Sequence, residues 1–164
     1  MMMRILVFVF TLILIYSPAK AESKGNIELK SVAEVEVTVK NDRGEKETKR
    51  VDAATTDVSP DATVIFTTHY TNIGKQPVTG VFITNPVPAN MVYLDGTAEG
   101  AGTKIEFSVN NGKTYGLPKD LKLTDSKGKE KTAKAEEYTH IQWTLSGPLE
   151  PKGKGNVSFR AKLK

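Results

Sequence analysis

Between Pro60 and Pro88 the chain alternates apolar and polar positions with a period of two. Val64, Phe66, Thr68 and Tyr70 fall on one face of an extended segment, and Ile65, Thr67, His69 and Thr71 on the other, the signature of a β-strand. Asn72-Ile73-Gly74 then reads as a turn, since Asn and Gly tolerate positive φ. A second run, Val78 to Thr84, stops at Asn85-Pro86. Proline cannot donate to a sheet ladder, so Pro86 and Pro88 mark a strand end or an edge. The stretch reads as two strands joined by a turn.

The same period recurs along the chain. Ile27 to Val39 ends in Val35, Val37 and Val39, set against Glu34, Glu36, Thr38 and Lys40, a strand with one wet face. Asn41-Asp42-Arg43-Gly44 is a turn, and Glu45 to Thr55 a more exposed strand. Met91 to Leu94 is a short apolar run, followed by a loop carrying Gly96, Gly100 and Gly102. Ile105, Phe107 and Val109 alternate with polar residues up to Asn110-Asn111-Gly112-Lys113, where Asn-Gly suits the left-handed positions of a hairpin turn. Leu121 and Leu123 suggest a short strand. Residues 130–137 have helical propensity without an apolar stripe, so a loop or one helical turn is expected there. Ile141, Trp143 and Leu145 share one strand face, and Val157, Phe159, Ala161 and Leu163 another. Many short strands with turn signals between them predict an all-β fold, an antiparallel two-sheet sandwich.

The first residues break this pattern. Arg4 precedes a twelve-residue, mostly apolar run, Ile5 to Tyr16, which Pro18 and Ala19-Lys20-Ala21 close. The run is short of the roughly 20 residues a membrane-spanning helix needs. It reads as a secretory signal peptide over residues 1–21, cleaved after Ala21, rather than an uncleaved anchor. A single sandwich domain over 22–164 is then expected, with no integral membrane segment after cleavage. Removing Arg4 and Lys20 takes the 23 basic residues to 21 against 19 acidic ones, a balance of +2. That argues against nucleic acid as a partner, because no basic stripe interleaved with aromatics is present. Cysteine is absent, which fits a bacterial exported protein better than a disulfide-built eukaryotic one.

Candidate chemistry is sparse. His69 and His140 each oppose the apolar face of their strand, which allows them to lie near each other on one sheet; two solvent-facing histidines are the reading adopted. A metal site would need further ligands. Asp57, Asp61, Asn85 and Asp95 near loops could hold calcium, but no Asp-x-Asp-x-Asp-Gly pattern supports it, and ordinary turn chemistry is preferred. No Gly-x-Ser-x-Gly elbow or dinucleotide glycine spacing occurs. Asn156-Val157-Ser158 matches a glycosylation sequon, without expected consequence in a bacterial protein. Trp143 with Tyr138 could form a ligand platform, but Trp143 between Ile141 and Leu145 reads as core. No catalytic residue, metal or cofactor is expected.

Pro60, Val64, Phe66, Tyr70, Asn72, Gly74, Val81, Ile83, Pro88 and Tyr93 together resemble the bacterial surface-protein repeat family described as "domain of unknown function 11". The likeness covers about residues 58–96. Asp61 stands where that family usually has Gly, Ala62 where it has an acid, and Asn85 where it has Asp. The resemblance implies an Ig-like sandwich in an exported protein, and no chemistry, since its motifs encode turns and strand ends. The expected function is a non-enzymatic structural or protein-interaction module at the cell envelope, periplasmic or secreted, binding an envelope or surface protein or itself. The alternative is a periplasmic peptide-binding or chaperone-like sandwich that acts by β-strand addition.

Overall fold

The structure is a computed structural model that describes residues 26–56, 59 and 62–164. The predicted leader, Asp57, Pro60 and Asp61 lie outside the described residues. In chain order the strands are β1 (Ile27–Lys40), β2 (Lys46–Asp52), β3 (Thr63–Asn72), β4 (Phe82–Pro86), β5 (Met91–Tyr93), β6 (Glu99–Gly100), β7 (Thr103–Ser108), β8 (Lys122–Thr124), β9 (Glu130–Thr132), β10 (His140–Leu145) and β11 (Lys154–Leu163). A large sheet has the order β2-β1-β3-β11-β5, with β6 also paired to β11; a small sheet has the order β4-β10-β7. All pairings are antiparallel. The fold is a two-sheet antiparallel sandwich, as the period-two pattern predicts.

The apolar rows of the sequence form its interior. Trp143 and Ile141 of β10 are fully buried, as are Val157 and Ala161 of β11. Phe66 stacks on Phe159 with ring centroids 4.9 Å apart. Three contacts fix how the sheets overlie each other. Tyr93 of β5 meets Phe107 of β7 at 5.4 Å, and Phe159 of β11 meets Trp143 of β10 at 6.3 Å. Thr68 of β3, 2 % exposed, bonds to Asn85 of β4. So β7 covers β5, β10 covers β11 and β4 covers β3. The large sheet continues beyond β3 by two strands, β1 and β2, with no strand of the small sheet opposite them.

The central stretch departs from its reading as two strands joined by a turn. β3 and β4 lie in different sheets, and the segment between them crosses from one layer to the other. On the way Val78 and Leu149 exchange main-chain bonds. Neither Asn72 nor Gly74 adopts positive φ. Asn72 is fully buried, and its Nδ2 donates to the carbonyls of Gln76 and Leu149, each at 2.8 Å, while its Oδ1 accepts from the Gly74 amide. Gly74 is needed for space, since a Cβ there would come within 2.7 Å of Asn26 Cβ. The Asn-x-Gly pattern thus encodes a crossover held by one side chain.

Two further segments can be compared with their expectations. Asn111 and Gly112 take φ values of 58° and 76°, as the hairpin signal predicts. Residues 130–137 divide: Ala135–Glu137 is a single 3-10 turn, but Glu130–Thr132 is strand β9. It pairs with β8 because Asp125 Oδ1 accepts from the Lys127 and Lys129 amides and Gly128 supplies the left-handed residue of the turn.

Candidate interaction surfaces

The first surface is the free edge of β4. The Leu145 amide donates to Val81 and the Val87 amide to Thr139. The odd-numbered residues of this strand therefore bond toward β10, and the alternation of an antiparallel ladder turns Phe82 and Thr84 the other way. β4 ends its sheet, so the N–H and C=O groups of Phe82 and Thr84 face outward with no partner strand among the described residues. Pro86 faces the same way and gives up no bond there, as edge prolines do. The strand Phe82-Ile83-Thr84-Asn85-Pro86 carries no charge, and Phe82 is 62 % exposed.

Two other edge strands, β2 and β7, are guarded by charge. β2, at the rim of the large sheet, presents Lys46, Glu47, Lys49 and Arg50, all exposed. β7, at the opposite rim of the small sheet, carries Lys104 and Glu106, which form an ion pair at 2.9 Å. Charged edge strands resist pairing with other chains. Against that pattern β4 stands out.

Beside β4 lies a step. Ser31 of β1 shares a 2.9 Å hydrogen bond with Thr68, which bonds in turn to Asn85. This chain of side chains runs from β1 through β3 to β4 along the inner face. Ser31 is nevertheless exposed, and Leu29 and Ala33 beside it are half-buried. The inner face of β1 thus forms an uncharged shelf next to the β4 edge.

The second surface is a groove of about 530 Å³ on the outer face of the large sheet, lined in part by Thr67, His69, Asn156, Ser158 and Arg160. Glu36 organises one end. Its Oε1 accepts from Arg160 at 3.3 Å and lies 3.4 Å from Arg50 Nε. Ile65 is the cross-strand neighbour of Arg160, so the arginine reaches past it toward β1. That path explains why Ile65 is only 3 % exposed on a face the sequence reads as polar. The hydrogen bond from Arg160, aided by Arg50, holds the Glu36 carboxyl below the ordinary carboxylate value.

The histidines do not share a sheet. His69 lies on the outer face of the large sheet and His140 on β10 of the small one. The alternation is the same in both strands, and only the tertiary partner decides the layer. His140 sits beneath the Asn110–Gly112 turn, and burial pushes its ring below the ordinary histidine value. Its neighbour across the ladder, Ser108, is fully buried. The Ser108 hydroxyl donates to Asn110 Oδ1 and accepts from the Asn110 and Gly112 amides, while the His140 ring bonds to Thr139. Ser108 is therefore the anchor of a turn. The sequence shows Asn-Gly but not the serine beneath it.

The remaining candidates disperse. Trp143 and Tyr138 both lie in the core. Asn85 is engaged by Thr68, Asp95 is exposed at a turn, and Asn156 lines the outer groove. Among the described residues no three His, Asp or Glu side chains gather in a metal-binding cluster, and no helix is long and apolar enough to cross a membrane. No family model matches the chain, and no curated protein or solved structure matches it either.

Proposed function

We propose that this chain is an exported, non-enzymatic β-sandwich that serves as a protein-interaction module at a bacterial cell envelope. The observation that carries the reading is the uncharged β4 edge, which offers main-chain donors and acceptors to another chain while the edges at β2 and β7 carry charge. Export rests on the leader pattern of residues 1–21. The near-neutral balance after the leader gives little attraction for nucleic acid or anionic lipid, whose binding depends on many unpaired cations. His69 and His140 lie in different layers and so supply no shared acid–base pair. The same edge favours a second reading, capture of a peptide by strand addition.

The test is site-specific photo-crosslinking in the native host. A crosslinking residue at Thr84 should yield an adduct with an envelope protein, and one at Glu106 should not. Substrate turnover by the purified protein, abolished by His69→Ala or His140→Ala in a variant that still folds, overturns the proposal.

A further inference from the structure

We infer that the β4 edge receives a single extended, uncharged segment of a different protein, laid on the inner face of β1. The inference rests on the interaction-module reading and names its site and the chemistry of its partner.

The width of the two sheets decides what can reach this edge. β4 lies over β3, as the Thr68–Asn85 bonds show, and the large sheet then runs on through β1 and β2. Adjacent strands are about 4.8 Å apart, so the overhang is roughly 10 Å. Consider a second copy pairing antiparallel through its own β4. The two-fold axis relating such strands stands normal to the sheet, so both large sheets fall on the same side. The second copy's β3, beneath its own β4, would then occupy the place of the first copy's β1. Two complete sandwiches collide at this edge. A lone strand brings no second layer and fits the step.

The groups at the step describe the occupant. Phe82 and Thr84 each offer one N–H and one C=O, so the residues facing them must not be proline. The floor offers Leu29, Ser31 and Ala33, none of them charged. A charged side chain pointing inward would lose hydration there without a counterion. Small, apolar or hydroxyl-bearing residues satisfy the floor, and Ser31 has room for a polar contact. On the outer side the exposed Phe82 favours an apolar residue beside it. The partner segment is thus an alternating strand, uncharged over the length that touches β4.

The probe is an end-capped hexapeptide, Thr-Val-Ser-Val-Thr-Val, titrated into the isotopically labelled protein and followed by amide shifts and hydrogen exchange. Protection should appear at the Phe82 and Thr84 amides, with shifts at Leu29, Ser31 and Ala33. Thr84→Pro, which removes one outward donor, should weaken binding about tenfold, and so should N-methylation of the peptide at its bonding positions. Phe82→Lys, which guards the edge with a charge, serves as an independent variant should Thr84→Pro fail to fold. Unchanged β4 amides at saturating peptide, or shifts confined to the outer groove around His69 and Arg160, overturn the inference. So does a dimer in sedimentation whose Phe82 and Thr84 amides are protected without peptide. A native partner that crosslinks at Thr67 but not at Thr84 also overturns the β4 site, while leaving the interaction-module reading intact.

Discussion

Trp143 packs its indole edge onto the backbone of Gly100, in the opposite sheet. A Cβ at Gly100 would lie 2.8 Å from Trp143 Cδ1 and 2.7 Å from Thr103 Oγ1. The glycine is there for close approach: its φ is not positive. Within the large sheet Tyr70 likewise lies over Gly155, its cross-strand neighbour, where its ring leaves no room for a Cβ. Two large rings thus rest on bare main chain, and the Trp143 contact lets the three-stranded sheet bring its largest side chain close against the broader one.

Trp143→Ala should cost about 3–5 kcal/mol, since the side chain is fully buried and its loss leaves a cavity. A domain of this size has a total stability of roughly 5–15 kcal/mol, so the variant should be close to unfolding. A denaturant midpoint equal to that of wild type would contradict the packing of β10.

Gly100→Ala should destabilise by about 1–3 kcal/mol through overpacking alone. Gly102→Ala is the companion measurement. Gly102 has open space around it but a φ of 66°, so its cost comes from backbone strain. Pairing each with Trp143→Phe separates the two causes in a double-mutant cycle: only the Gly100 substitution should be relieved by the smaller ring.

Asn72→Asp should be more damaging than Asn72→Ala. Either change removes the fully buried amide that ties the Gln76 and Leu149 carbonyls together, a loss of about 1–3 kcal/mol, although Leu149 keeps its bond from the Val78 amide. The aspartate adds a buried charge facing two carbonyl oxygens. Equal midpoints for the two variants would show that the crossover does not depend on this amide.

The His140 ring should make stability fall in mild acid. Its folded value lies below the ordinary 6.5 because burial disfavours the charged form. The unfolded chain therefore takes up the proton first as pH drops. The contribution of the neutral ring is complete above about 6.5 and is lost as pH falls through the folded value. Melting temperature should decline as pH falls below about 6.5, and His140→Gln should flatten that decline. A slope unchanged by the substitution would assign the acid sensitivity elsewhere.

Glu36 acts in a lower window. Its carboxyl is held below the ordinary 4.5, first by the hydrogen bond from Arg160, so its contribution is present above 4.5 and lost as pH falls through the folded value. The carboxylate is partly exposed, and Glu36→Gln at neutral pH should cost only about 0–1 kcal/mol, less in high salt. A loss insensitive to salt would mean that the glutamate does more than pair with the arginines.

The strands were legible because their inward residues are large and regularly spaced. Val157, Phe159 and Ala161 announce a strand in any tertiary setting, and so do Ile141 and Trp143. Layer assignment was not legible. β3 and β4 carry the same alternation whether they pair or cross, and His69 and His140 looked alike for that reason. β9 lacks apolar residues altogether, and only its turn to β8 makes it a strand. The β4 edge was visible as a strand that ends in Pro86. Its freedom depends on which strand fails to lie beside it, and that is a property of the sheet order.

That sheet order also bears on the timing of folding. β11 sits between β3 and β5, yet it follows both in the sequence, and Phe66 finds its stacking partner only when Phe159 becomes available. Nearly every contact that closes the large sheet is distant along the chain, a topology that folds slowly. Until β11 arrives, β3 and β5 have open flanks and Tyr93 and Phe66 have no common neighbour. The chain can stay extended for a long interval before it becomes cooperative, and a product truncated before Lys154 should show no two-state transition at all.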